Sequence, residues 1–187
     1  RVSGAGPDYD VLGQTLDDAA GEAFDKGARL LGLGYPGGAA LEALAGDGDP
    51  AAFEFPTASR MGGLDFSFAG LKTALLYKVR DLGQIEAARR RADLAAAYQA
   101  AIVETLMLRL RRALKQTGAE RLALGGGVAA NGALRAAVRE LGVEVHVPAR
   151  ELCTDNAAMI AAAALYSEPV RFPAYLGLDV YPTGQHA

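Results

Sequence analysis

The sequence predicts an α/β fold in which parallel strands are joined by a crossover helix, and three observations predict it. Arg121–Leu124, Gly125–Gly127, Asn131–Leu141 and Val143–Val147 read in order as strand, tight turn, helix and strand, before Thr154-Asp155-Asn156 opens another helix. Two stretches further upstream carry apolar residues at three- and four-residue intervals, the spacing of a helix with one buried face. The composition fits a packed core: 187 residues, 51% hydrophobic and 22% charged, exclude intrinsic disorder.

The opening residues 1–12 (RVSGAGPDYDVL) read as a short strand and a Gly-Pro-Asp turn. The chain starts with Arg1 rather than Met, and Arg1–Asp10 lacks an apolar signal core, so the start reads as internal to a longer polypeptide. Leu16 to Leu33 reads as a helix with Leu16, Ala20, Ala23, Phe24, Ala28 and Leu31 on one face, stopped by Gly32, Gly34, Pro36, Gly37 and Gly38. A short helix near Ala39–Leu44, a Gly-Asp-Pro loop, the segment MGGLDFSFAGLKT and a basic helix ending at Arg89-Arg90-Arg91 follow. Leu94, Tyr98, Ile102, Leu106, Leu110 and Ala113 then mark a long helix that stops before Gly118. In the strand–helix–strand run, both strand ends fall on one sheet edge, where open α/β sheets bind ligands. The triglycine turn and the Thr-Asp-Asn turn are therefore expected to face one cleft.

Charge and cysteine content narrow the setting. The 19 Lys and Arg against 22 Asp and Glu give a formal charge of −3, although Lys72, Lys78, Arg80, Arg89, Arg90, Arg91, Arg109, Arg111, Arg112 and Lys115 concentrate in the middle third. Such an asymmetry suits either a phosphate-backbone footprint or solvated helix faces. The apolar run Ala157–Tyr166 is too short to cross a bilayer, which takes about 20 residues. The single Cys153 makes no internal disulfide and reads as a small buried residue, fitting a reducing compartment and a cytoplasmic location.

Four groups of residues are candidates for chemistry. The turn Gly125 to Asn131 (GGGVAAN) puts side-chain-free residues between strand and helix, where backbone N–H groups approach a phosphate; the alternative is a tight turn capped by Asn131. Asp155 is either the cap of the next helix or a carboxylate that meets a cation beside that turn. Asp18, Glu22 and Asp25 form an acidic stripe, read either as a salt-laced face compensated by Lys26 and Arg29 or as acceptors for ribose hydroxyls, with Gly21 and Gly37-Gly38 allowing close approach. Ser67, between Phe66 and Phe68, has no nucleophile-elbow glycines around it, and the Phe pair reads as packing. His146 and His186 are too far apart in sequence for a zinc motif.

Three segments together, GQTLDDAAGEAFDKGARLLGLGYPGG, LDFSFAGLKTAL, and LALGGGVAANGALR followed by CTDNAAMIA, resemble the tRNA N6-adenosine threonylcarbamoyltransferase (TsaD) family over nearly all of residues 9–166. The resemblance implies an actin-like ATPase (ASKHA, ribonuclease H-like) lobe with a helical insertion, its first strand and first lobe missing. Residues 1–38 would begin the second lobe, 39–92 form the insertion, 93–166 carry the nucleotide and metal loops, and 167–187 be a variable tail. It further implies transfer of the threonylcarbamoyl group from threonylcarbamoyl-AMP to N6 of the adenosine next to the anticodon, in tRNAs that read codons beginning with A. By match, Asp25, Gly38 and Asn131 would bind the donor nucleotide, or ATP or ADP, with Glu22, Gly126 and Gly127 nearby. Asp155 would ligate a divalent metal, Fe2+ in the family's usual description, with Zn2+ or Mg2+ as alternatives.

The resemblance also implies partners: tRNA, a TsaB-type paralogue and a TsaE-type ATPase, with no membrane. Family members carry upstream a lobe with two metal-binding histidines four apart and a Ser-Gly-Gly-His-Thr segment, neither of which is in this sequence. The chain alone is accordingly expected to bind metal weakly and not to turn over, with no protein nucleophile or general base assigned. The competing readings are a non-catalytic TsaB-like partner lobe and a small-molecule kinase of the actin-like superfamily.

Overall fold

The computed structural model describes residues 9–57, 62–166 and 169–178. The expected strand at residues 1–12 falls mostly outside these, as does much of the tail at 167–187. One compact unit runs from Asp10 to Asp155, and the described residues from Asn156 onward belong to a second, smaller one. The first unit holds α1 (Ala20–Leu30), α2 (Gly37–Ala45), α3 (Ala69–Arg89), α4 (Arg91–Thr117), β1 (Arg121–Ala123), α5 (Gly132–Arg139) and β2 (Glu144–His146). The fold is α/β, mostly helical with a small parallel sheet. Arg121 lies opposite Glu144, Leu122 opposite Val145 and Ala123 opposite His146, and α5 is the crossover between the two parallel strands. The strand–turn–helix–strand order expected from the sequence is thus present, with each element a residue or two shorter at its ends.

The helix expected over Leu16–Leu33 is shorter at both ends, and the cause is local. Residues 14–16 are drawn out of helical geometry by pairing with the Asp65–Phe66 segment. The Leu16 N–H donates to the Phe66 carbonyl at 2.8 Å, and the Phe66 N–H donates to the Gln14 carbonyl at 2.8 Å. Leu16, expected on the buried face, is therefore exposed. At the far end Gly32 takes φ +71°, a conformation that stops the helix. In α3 the helical path is interrupted at Gly83, where φ is 72° and ψ is 164°, so two shorter helices meet there. Arg91 begins α4 rather than ending the helix before it.

Two apolar clusters make the core. The first joins Phe24 and Ala28 of α1, Leu41 of α2, Leu71 and Leu75 of α3, and Leu94, Tyr98 and Ile102 of α4. The second joins Val103 and Met107 of α4 to Leu134 and Val138 of α5, with Leu122 and Val145 of the strands packed against them. Tyr98 is fully buried and its hydroxyl donates to the Ala23 carbonyl at 2.9 Å, so burying the phenol leaves no polar atom unsatisfied. Burial holds its pKa far above the usual tyrosine value, followed by the smaller effect of the Asp18 charge. Gly27 makes that packing possible: a Cβ there would sit 2.3 Å from Tyr98 Cε1.

The segment around Ser67 is tied to the entrance of α1. The Asp17 carboxylate accepts from the Ser67 hydroxyl at 2.5 Å, the Phe68 N–H at 2.7 Å and the Ala69 N–H at 3.2 Å, satisfying donors at the start of α3. Burial alone would push its pKa up, but the hydrogen bonds from Ser67, Phe68 and Ala69 outweigh it and hold Asp17 below the usual carboxylate range. The rings of Phe66 and Phe68 stack with centroids 6.2 Å apart, the packing role expected for that pair.

In the second unit, α6 (Ala157–Ala164) has no buried residue. Its cap is Asn156, whose side chain accepts from the Met159 N–H at 2.9 Å. The capping alternative considered for Asp155 is therefore incorrect, because the next residue already supplies the oxygen. None of the helices among the described residues is long and apolar enough to cross a membrane.

Two outcomes follow from these contacts. Gly27→Ala drives a methyl into the Tyr98 ring and is expected to cost about 1–3 kcal/mol, read as a lower urea midpoint at an unchanged slope. Asp17→Asn is expected to lower the melting temperature most at neutral pH. Because the folded-state pKa is depressed, the wild-type advantage is present above the unfolded value, near 3.8, and vanishes as pH falls through the folded one. Melting curves of both proteins from neutral to acid pH check this; a gap that stays constant with pH contradicts it.

Candidate functional site

A cavity of about 430 Å³ opens where α1, α2 and the turn before α5 come together, a size suited to a nucleotide. The approach of α1 to α2 is set by two contacts. Asp25 of α1 accepts from the Gly37 N–H at 2.8 Å, placing a carboxylate on the N-terminus of α2, where the helix dipole favours it. A Cβ at Gly37 would lie 2.5 Å from the Ala28 methyl, so only glycine fits this crossing. Behind these, Phe24, Pro36, Ala39, Val128 and Ala130 give the cavity an apolar wall.

The triglycine turn forms the opposite rim. Gly126 takes φ +81°, which strongly favours glycine, and a 3₁₀ turn from Gly127 to Ala130 leads into α5. At Gly125 and Gly127 a Cβ would meet nothing within 4 Å, so the absence of side chains there leaves open space rather than relieving a clash within the chain. Asn131 closes the turn. It is 6% exposed, its carboxamide oxygen accepts from the Leu134 N–H at 3.0 Å, and its Nδ2 donates to Gln99 Oε1 on α4 at 2.8 Å. The capping alternative for Asn131 is thus realised while the same side chain lines the cavity.

A second carboxylate stands at the end of α5. Glu42 accepts from the Gly132 N–H at 2.8 Å and lies 3.7 Å from the Arg150 guanidinium. Asp25 and Glu42 therefore each rest on the first residue of a helix, and both line the cavity. Arg135 ties the triglycine side to the exit of β2: its guanidinium donates to the carbonyls of Ala129 and Pro148, both at 2.6 Å, and lies 3.2 Å from the Cys153 sulfur. Cys153 is buried, as its reading as a small interior residue requires.

Of the residues singled out in the sequence, Gly21, Asp25, Gly38, Gly127 and Asn131 line this one cavity, and Thr154 brings the Thr-Asp-Asn turn to its rim. Gly126 is adjacent to Gly127 but outside the lining. Glu22 also lies outside it: its carboxylate is half-exposed and sits 2.7 Å from Lys26, which is 2.5 Å from Asp18 as well. The compensated-face reading of the acidic stripe thus describes Asp18 and Glu22, while Asp25 turns to α2. Asp155 is exposed and is not a lining residue. Glu42 was not singled out, although it falls four residues after Gly38, one helical turn along the same face.

The basic middle third is largely engaged within the chain. Arg109 is 1% exposed and so is no part of a surface footprint, while Arg111 lies 3.6 Å from Glu104 and Arg90 packs over the Phe53 ring. His146 pairs with Glu144 at 3.1 Å. Among the described residues no group of three His, Cys, Asp or Glu side chains comes together as a metal site.

Comparison with known proteins places the chain in a family. A family model described as TsaD: tRNA N6-adenosine threonylcarbamoyltransferase matches residues 2–162. A protein of that name from Bordetella petrii is 55% identical over all of this chain and 54% of its own length. Proteins of the same name from Paracidovorax citrulli and Methylibium petroleiphilum are 56% and 57% identical, each over 88% of this chain and 48% of their own length. The chain spans about half the length of the curated relatives it matches. With a family match across most of its residues and relatives above half identity over the whole of it, the chain belongs to the tRNA N6-adenosine threonylcarbamoyltransferase family.

Proposed function

We infer that this chain supplies the nucleotide-holding half of a tRNA threonylcarbamoyltransferase. The single observation that carries the reading is the meeting of Asp25, Gly38, Gly127 and Asn131, from two distant parts of the sequence, on one cavity of nucleotide size. Asp25 and Glu42 are acceptor groups held in place by helix N-termini, and they suit a ligand rich in hydroxyl donors, such as a ribose. The apolar wall formed by Phe24, Val128 and Ala130 suits the face of a base. Because Glu42 already occupies the N-terminus of α5, the anionic end of the donor belongs at the open triglycine rim, where backbone N–H groups meet it.

The donor is threonylcarbamoyl-AMP. In the transfer, the N6 amine of the tRNA adenosine adds to the carbamoyl carbonyl carbon, the new C–N bond forms, the C–O bond to phosphate breaks, AMP leaves with that oxygen, and the proton lost from N6 passes to solvent. The chain's own part is to hold the AMP portion so that the carbonyl faces the incoming amine, a contribution of positioning. The natural setting is the cytoplasm, with tRNA as acceptor and TsaB-type and TsaE-type proteins as partners.

Asp155 is the residue matched to the family's metal, and Fe2+ is the ion the family reading names. The described residues do not by themselves fit that ion: no three His, Cys, Asp or Glu side chains gather among them, whereas a catalytic metal of this type takes about three protein ligands. The described residues therefore do not complete the set of ligands.

Two measurements test the reading. Asp25→Asn preserves the acceptor for the Gly37 N–H and removes the charge; it is expected to weaken AMP binding about 10-fold or more, by calorimetry, without loss of fold. Unchanged AMP affinity would remove Asp25 from the site. Asp155→Ala is expected to leave thermal stability within about 0.5 kcal/mol, because Asn156 is the cap, and to lower bound Fe2+ and transfer activity together in an assembly that contains the upstream half. A large loss of stability with metal content unchanged would return Asp155 to a structural role.

A further inference from the structure

We propose that Gln99 of α4 is a positioning residue for the nucleotide cavity, acting by fixing the side-chain amide of Asn131; the proposal rests on the nucleotide reading above. The bonding order is determined from one end. The Leu134 N–H is a backbone donor, so the atom it meets at 3.0 Å on Asn131 must be the carboxamide oxygen. Nδ2 therefore points the other way, and the atom 2.8 Å from it on Gln99 must be an acceptor, Oε1. Turning either amide over would set two donors or two acceptors against each other.

Asn131 is 6% exposed, so water does not readily replace a lost partner, and an N–H left without one is destabilised. The cap of α5 requires only the oxygen of Asn131. The Gln99 contact serves the other half of the amide, the half that a merely structural cap leaves unused. Two of the four hydrogen-bonding positions of the carboxamide are thus filled within the chain. One N–H and one lone pair remain, in fixed directions, on a side chain that lines the cavity. Gln99 itself does not line that cavity; it faces a second concavity with Val103, Met107 and Ala133, and so reaches the nucleotide only through Asn131.

The test uses two Gln99 variants of the full chain and a neutral probe, adenosine, so that added charge does not itself repel the ligand. Gln99→Met keeps the length and removes the acceptor; Gln99→Glu keeps the acceptor. The expected result is a 5-fold or larger rise in the adenosine dissociation constant for Gln99→Met, and a value within 2-fold of wild type for Gln99→Glu, both folded by their melting curves. A structural role alone would not give that rescue. Wild-type affinity in a folded Gln99→Met, or equal weakening in both variants, overturns the proposal and leaves the nucleotide reading intact if Asn131→Ala still lowers affinity. Absence of adenosine binding by the wild-type chain overturns both. Should Gln99→Met fail to fold, Gln99→Glu decides by itself: more than 5-fold weakening in that variant overturns the proposal.

Discussion

The site exists because α1 and α2 cross at a distance that no side chain larger than hydrogen at position 37 allows. At that crossing the Asp25 carboxylate takes the first free N–H of α2, so one interaction both closes the helix pair and fixes an anion at the cavity edge. The rest of the arrangement builds on it. Glu42 leaves α2 one turn later and reaches the first N–H of α5, linking the helix pair to the triglycine turn. Two carboxylates on two helix ends are each offset by partial charges of the backbone, with Arg150 beside Glu42 as a further, exposed counter-ion.

Much of this was legible in the residues. The period of Leu94 to Ala113 marked α4, and the alternation around Val145 marked a strand, because burial of one face leaves a pattern of the right period. The Gly37-Gly38 cluster marked a close helix crossing, and the Gly125–Gly127 cluster marked a turn whose rim is left open. The start of α1 was not legible. Leu16 continues the apolar spacing, but Gln14 and Leu16 bond to Phe66, some fifty positions away, and no local pattern announces such a partner. The same limit hid Asp17 on Ser67 and Glu42 on Gly132. The choice between Asn156 and Asp155 as a cap was equally closed to sequence, since both residues accept and neighbouring side chains decide.

Asn131 shows how a structural and a functional assignment coexist on one side chain. Its oxygen caps a helix, which explains why the turn has the shape it does, and its nitrogen is directed by α4. A residue used in this way is costly to replace for two unrelated reasons, so loss of function at position 131 is informative only beside a measurement of stability.

The placement of α4 carries a consequence for how the molecule comes apart. Leu94, Tyr98 and Ile102 belong to one apolar cluster, Val103 and Met107 to the other, and Leu106 packs against both. One continuous rod therefore passes through both hydrophobic centres. Loosening either centre therefore loosens the packing of the same helix in the other, so the two are coupled through α4.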